Sequence, residues 1–436
     1  MLEPTAPCNR NSQRFNGEII NCDALQIYEG LPITTNKIPA AERNSIPHHL
    51  LDCISLNEEP WTVTQFRGQA IKLIEGIRSR GRLPVLVGGT HYYTQSVLFK
   101  GSLLDEGAPH VPTDEQERRW PILGASSEAM LDELRRVDPV MAKTWHPKEK
   151  RKVRRSLEIW LTTGQKPSDV YERQKQALVA SDVNHNLNGT CENGDSETDA
   201  HPRGLDAASL FQYEPLILWT HASPSILSSR LDHRIDSMLE QGLLDEVQSM
   251  HQSLQAQESA GKAVDQSRGI WVAIGYKEFL PYLLALQDTA LNPKDLPILK
   301  HEAIERTKIR TRQYAKSQLR WIKNKLFTAL SEAGALGRLF VLDASDRASW
   351  GSDVGDSAER ITAAFLQGTG LPDPHSICPA AAEMLSPGGR QERRVRHCDA
   401  CDKTMMTDDS WRDHLKSKRH RNTVKAKRGQ NVALED

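Results

Sequence analysis

The sequence predicts an α/β protein with a parallel sheet core, a helical layer inserted into it, and a small metal-binding tail. Three observations carry this expectation. The stretch Gly17 to Tyr28 (GEIINCDALQIY) reads as a short apolar strand, Glu18 to Cys22, that ends at a lone carboxylate, Asp23. A second apolar run, Leu83 to Val87, ends at Gly88, Gly89 and Thr90, and between the two runs apolar residues recur at helical spacing. Near the C-terminus, Cys398, Cys401, His414 and His420 stand as C-x2-C-x12-H-x5-H.

In open α/β sheets ligands bind just outside the carboxyl ends of strands, which makes Asp23 and Thr90 candidates for one shared site. The plainer alternative, Asp23 as a helix N-cap and Gly88-Gly89 as an ordinary turn, stays open at this point. After the Asp23 strand, Pro32 and Pro39 keep Leu31 to Ala41 extended or looped. From Val63 to Arg80, Phe66, Ala70, Leu73, Ile74 and Ile77 give one inward face, and Gly81 stops the helix. A strand, helix, strand crossover joins parallel strands, so both strand ends belong to one sheet.

Leu103 to Arg118 is loose in texture, with Gly107, Pro109 and Pro112. Helical patterns return at Ser126 to Val137 and in His146 to Thr163, whose first half is basic and whose second half is apolar through Val153, Leu157 and Trp160. Ala180 to Asp206 is rich in Asn, Gly, Ser and Asp and reads as a disordered surface insertion. Glu214 to Trp219 is a third strand, Ser223 to Met250 a helix pair broken at Gly242, Ile304 to Leu326 a basic helix, and Arg338 to Asp343 a last strand. The expected domains are thus a first core part (1–100), a helical insertion (101–212), a second core part (213–366), a Pro/Gly/Ala linker without a period (367–389), and a tail (390–436).

Composition narrows the class. A net charge of −1 over 436 residues names no partner by itself, but two stretches are strongly basic: His301 to Lys325 and Arg390 to Arg428. Seven cysteines, an odd number, argue against a disulfide framework and for a reducing compartment. No apolar run approaches the ~18 residues of a membrane span. The first sixteen residues lack a signal-peptide pattern and read as a poor transit peptide or as nothing in particular.

Two thiolates and two imidazoles at the tail's spacing can close a tetrahedron on zinc, with the cysteines on a turn and the histidines on a helix. The wide interval before His420 implies a distorted helix end. Arg412, Lys416, Lys418, Arg419 and Arg421 surround it, a density suited to phosphate contacts that position a protein without reading sequence. In the basic helix, Arg306, Lys308, Arg310, Arg312, Lys316, Arg320 and Lys323 alternate with Tyr314 and Trp321. Interleaved cations and rings suit single-stranded or loop RNA, although a solvated helix face gives the same pattern.

Taken together, the runs NCDALQIYEGLPITTNK, IPHHLLD, RGRLPVLVGGTHYY, HPKEKRKVRRSLEIW, RLDHRIDSMLEQGLLDEV, IGYKEF and RTRQYAKSQLRWIK, in this order, resemble the tRNA dimethylallyltransferases (isopentenyltransferases) of the eukaryotic type with a zinc finger. The resemblance implies a P-loop NTPase-like parallel sheet core and transfer of a dimethylallyl group from its diphosphate to N6 of the adenosine beside the anticodon of tRNA. It implies Asp23 as the acceptor of the amine hydrogen, with Thr90 supporting the same site, and Arg234 and Arg230 as diphosphate ligands. It implies tRNA contacts from Asp23, Ala24, Leu25 and Gln26, from Arg151, Lys152, Arg154 and Arg155, from Lys277, and from Arg312, Tyr314, Lys316 and Gln318. Partners are then a tRNA anticodon stem-loop and dimethylallyl diphosphate, with no membrane. The protein is expected as a monomer in cytoplasm, mitochondrion or nucleus, and not secreted.

Two departures from the family pattern stand out. Ala24 takes the place of a Ser found in many relatives. The family's opening strand and G-x-x-x-x-G-K-[ST] phosphate loop, through which magnesium accompanies the diphosphate, have no counterpart, since Met1 to Phe15 holds neither Gly nor Lys. An incomplete start or a short form with poor catalysis both fit, and an RNA-binding protein without catalysis is the alternative function.

Overall fold

The computed structural model describes residues 5–101, 113–173, 210–288, 292–386 and 393–432. Ala180 to Asp206, expected as an insertion, lies outside them. The chain divides into two units, Met1–Ser102 with Gly194–Ser386 and Leu103–Asn193 with Pro387–Asp436.

In chain order the elements are α1 (Thr5–Arg14), β1 (Gly17–Asn21), β2 (His48–His49), α2 (Val63–Ser79), β3 (Leu83–Val87), α3 (His91–Leu98), α4 (Thr113–Arg119), α5 (Ser127–Val137), α6 (Pro139–Ala142), α7 (Lys150–Thr163), β4 (Ile217–His221), α8 (Pro224–Glu240), α9 (Leu243–Ser259), α10 (Tyr276–Gln287), α11 (Leu296–Trp321), α12 (Phe327–Glu332), β5 (Leu339–Asp343), α13 (Ser357–Gln367), α14 (Pro379–Met384), β6 (Arg393–Cys398), β7 (Lys403–Thr407), α15 (Asp408–Lys416) and α16 (Lys418–Val432). Among the described residues no helix is long and apolar enough to cross a membrane.

In the first unit, β1 pairs in parallel with β3, Gly17 opposite Leu83 through Asn21 opposite Val87, and with the short β2 on its other side. The expected crossover connects them. Thr62 caps α2 by accepting from the Gln65 N–H while the Gln65 side chain returns to the Thr62 N–H, a reciprocal arrangement that satisfies two orphan donors. Phe66, Ala70, Ile74 and Ile77 form its buried face, each large side chain contributing about 1.5–3 kcal/mol.

The remaining strands make a second parallel pair, Ile217 opposite Leu339 through His221 opposite Asp343. Strands β1 and β5 are buried almost throughout, whereas β3 and β4 are half-buried edges of their sheets. Sheet pairing among the described residues is therefore interrupted between the two halves.

Two elements stand where none was expected. The N-terminal residues form helix α1, which packs on β1, β3 and α13. There Arg10 and Arg14 pair with Glu359, and Asn11 Nδ2 donates to Thr362 Oγ1 at 2.9 Å. Polar contacts hold this helix, so no apolar period betrays it. The linker also contains structure: α14 packs on β5, burying Ala381, Met384 and Leu385, a face too short for a period to show. Smaller shifts follow the same logic, with β4 running to His221 and α11 beginning at Leu296.

In the second unit, α5 and α7 share a core of Met130, Leu131, Leu134, Val153 and Leu157. Part of the stretch expected to be loose is helix α4. The tail folds as an antiparallel β6–β7 hairpin followed by α15 and α16, which break at Ser417.

Candidate active site and metal centre

Asp23 is positioned by the residue two before it. The buried Asn21 side chain donates to the carbonyls of Asp23 (3.0 Å) and Leu50 (2.8 Å) and accepts from the Asp23 N–H (2.9 Å), locking the turn after β1. One carboxylate oxygen of Asp23, Oδ1, accepts from the Leu25 N–H at 2.9 Å. The end of β3 meets this turn directly. Thr90 N–H donates to the Cys22 carbonyl at 3.2 Å, and Thr90 Oγ1 accepts from the Ala24 N–H at 3.1 Å. The two strand ends thus lie side by side, joined by these two hydrogen bonds.

The glycine pair permits this approach. A Cβ on Gly88 would lie 2.3 Å from the Cys22 carbonyl carbon, whereas one on Gly89 would meet the side-chain amide of Gln318 at 2.5 Å and Asp23 Oδ2 at 3.9 Å. Backbone cannot yield as a side chain can. Gly88→Ala is accordingly expected to lower stability by about 1–3 kcal/mol or more, and Gly89→Ala by clearly less, as measured by urea unfolding of each variant; equal losses would contradict this geometry.

Burial pushes the Asp23 carboxyl up from its ordinary pKa, against the backbone N–H groups of Leu25 and Gln26 and the charge of Arg234. Arg234, on α8, is desolvated in turn, which lowers its pKa while Asp23 raises it, and its Nε is buried without a hydrogen-bond partner. A buried guanidinium with an open donor is prepared for an anion. The Tyr314 hydroxyl, on α11, is pushed up to about 12, by burial first and the Asp23 charge second. Gln318, one turn further, donates from Nε2 to the Gly89 carbonyl at 3.0 Å.

Several residues named from the sequence are engaged elsewhere. Arg230, expected at the diphosphate, donates to the carbonyls of Ala344 and Ser345, both at 2.6 Å, and braces α8 on the end of β5. Gln26 donates to the Thr35 and Asn36 carbonyls and holds the loop after Leu31. Arg312 pairs with Asp232 on α8. Arg154 is enclosed by Glu117, Glu158 and the Leu123 carbonyl, an internal brace with 16% of its side chain exposed. Arg155 and Lys152 pair with Glu158 and Glu149 on their own helix or its start. Arg151 on α7, Lys277 on α10 and Lys316 on α11 are exposed, Tyr314 is 45% exposed although its hydroxyl feels the Asp23 charge, and Ala24 and Leu25 pack half-buried against the core. A count of cations along a helix cannot separate the inward members from the outward ones. The stack of His91 on Trp321, with ring centroids 5.3 Å apart, carried no motif and was missed.

At the tail, Cys398, Cys401, His414 and His420 each direct one ligand atom so that all four lie within 4.8 Å of one another. The two Sγ atoms stand 3.6 and 3.4 Å from His420 Nδ1, close to the ~3.5 Å edge of a tetrahedron with Zn–S about 2.3 Å and Zn–N about 2.0–2.1 Å. His414 Nε2 is buried and unpartnered, as a waiting lone pair would be. The donor set fits zinc and would fix the hairpin to α15 and α16. Because such sites contribute about 10–16 kcal/mol to folding, chelation of the full chain is expected to release amide-exchange protection in β6, β7 and α15 while leaving β1, β5 and α2 protected. Retained protection in the tail would contradict a structural zinc.

Comparison with known proteins gives a family for most of the chain and a second one for the tail. Residues 26–325 match the IPP transferase family model, and residues 396–420 match that of the zinc-finger of C2H2 type. The chain is 33% identical to the tRNA dimethylallyltransferase of Schizosaccharomyces pombe, covering 96% of this chain and 91% of that protein. Against the human tRNA dimethylallyltransferase it is also 33% identical, over 95% and 82% of the two. A solved eukaryotic dimethylallyltransferase acting on tRNA superposes with a TM-score of 0.74 at 29% identity, over 100% of this chain and 97% of that one.

Proposed function

The chain belongs to the IPP transferase family, and from that premise we propose that it transfers a dimethylallyl group from dimethylallyl diphosphate to N6 of the adenosine beside the anticodon of tRNA. The observation that carries this reading is the joined Asp23 and Thr90 strand ends with Arg234, whose buried Nε has no hydrogen-bond partner, acting on the Asp23 charge.

The chemistry needs an extruded base, a proton acceptor and a clamp on the departing anion. The N6 amine attacks the first carbon of the dimethylallyl group as the carbon–oxygen bond to diphosphate breaks. The amine proton passes to the Asp23 carboxylate, and the diphosphate leaves along Arg234. Thr90 keeps the Ala24 N–H, and with it the Asp23 turn, in place. Lys316, Arg151 and the tail cations meet RNA phosphates.

Magnesium, expected with the diphosphate, finds no dedicated carboxylate cluster: among the described residues the only His, Cys, Asp and Glu group of metal-binding geometry is that of the tail. The test is incubation of the chain with an anticodon stem-loop and radiolabelled dimethylallyl diphosphate, followed by nucleoside analysis. Label in N6-isopentenyladenosine supports the transferase, whereas RNA bound without label supports the binding protein instead.

A further inference from the structure

Helix α11 meets the segment Gly89–His91 through two contacts within the protein. Gln318 Nε2 donates to the Gly89 carbonyl at 3.0 Å. One turn later Trp321 stacks on His91, centroids 5.3 Å apart and planes 24° from parallel, and His91 is the residue after Thr90. Trp321 also packs into the apolar cluster of Phe99, Leu326 and Leu339, which anchors it from the other side.

The helix does not end at Trp321. Residues Ile322–Leu326 continue it as a π-helical turn into α12, and such turns accumulate at functional positions because the extra residue re-aims what precedes it. The opposite side of the same helix presents Lys316 and Arg320 to solvent. One rod therefore carries exposed cations on one face and grips the Gly88–Thr90 turn with the other.

We propose that Gln318, Trp321 and His91 form a positioning latch, which fixes α11 on the Gly88–Thr90 turn and so registers RNA held on the outer face of that helix against the Asp23 carboxylate. The latch rests on the transferase reading only for its consequence, not for its geometry. It acts through Thr90: sliding α11 moves the Gly89 carbonyl and loosens the hydroxyl that holds the Ala24 N–H. Burial lowers the pKa of His91, which favours the neutral ring against the indole.

The test uses the full chain carrying Trp321→Ala, Trp321→Phe or Gln318→Ala. Without substrates, amide exchange over residues 22–25 and 88–90 is expected to quicken by at least about 10-fold in both alanine variants, with α2 unchanged and the phenylalanine variant close to wild type. Unchanged exchange in Trp321→Ala overturns the latch. Single-turnover transfer by Trp321→Ala should fall by roughly 10–100-fold, as a small misplacement of reacting groups does, with the KM for the stem-loop within about 3-fold. A rise in KM alone, at full rate, also overturns it. Failure of wild type to transfer label would sink the functional reading, and the exchange result would still decide the latch.

Discussion

Replacing Asp23 by Asn should leave a folded chain that binds both substrates and transfers almost nothing, with single-turnover rates lower by about 10²–10⁴ because the amine proton has no acceptor. The substitution is gentle. The Asn carbonyl oxygen can still accept from the Leu25 N–H, as Asp23 Oδ1 does. The pH dependence follows from the direction of the shift. Burial raises the Asp23 pKa, and only the ionised form accepts a proton, so the wild-type rate rises with pH through a value above the ordinary ~3.9 and then levels. In the Asn variant that rising limb disappears.

Stability runs the other way. A carboxyl whose folded pKa exceeds its unfolded value contributes stability that is complete below the unfolded pKa and lost as pH rises through the folded one. The Asn variant should therefore lose that decline, and its Tm at neutral pH should not fall below wild type. A Tm drop at neutral pH would mean that Asp23 is structural.

Arg234→Met carries the other large effect. Two charge-assisted hydrogen bonds to diphosphate, at about 1.5–3 kcal/mol each, correspond to roughly 10²–10⁴ in affinity. Isothermal titration with dimethylallyl diphosphate should show that loss, while RNA affinity stays within about 3-fold because the outward cations remain. Methionine keeps the unbranched stem and removes a buried charge that has no hydrogen-bond partner at Nε, so stability should hold. Undiminished diphosphate binding would remove Arg234 from the site and leave the departing anion without a clamp.

Both expectations rest on residues that the sequence already singled out. Asp23 and Thr90 were legible because strand ends in an open sheet are where ligands collect, and the crossover between them fixed the strands as parallel neighbours. The tail was legible because zinc imposes spacing on its ligands. Arg234 was readable only through the family resemblance. What periodicity could not give was the direction of each cation. Arg154 and Arg312 sit in basic runs like Arg151 and Lys316, yet the first pair turn inward to Glu117, Glu158 and Asp232. Burial belongs to the assembled fold, and charge alternation along a chain does not encode it.

The elements that escaped notice share a cause. Helix α1 is held by Arg10, Asn11 and Arg14 through ion pairs and an amide, and α14 buries three side chains over six residues or so. Neither offers an apolar stripe long enough to count. The His91–Trp321 stack spans more than two hundred residues of sequence, and no local pattern announces a contact of that kind.

A double-mutant cycle on Asp23→Asn and Thr90→Val, read as single-turnover transfer to an anticodon stem-loop, puts the shared pocket to its most direct trial. If the threonine hydroxyl acts by holding the turn that aims the carboxylate, the double variant should lose little more than Asp23→Asn alone, because the second change has nothing left to disorder. Losses that multiply would show two independent sites and contradict the pocket.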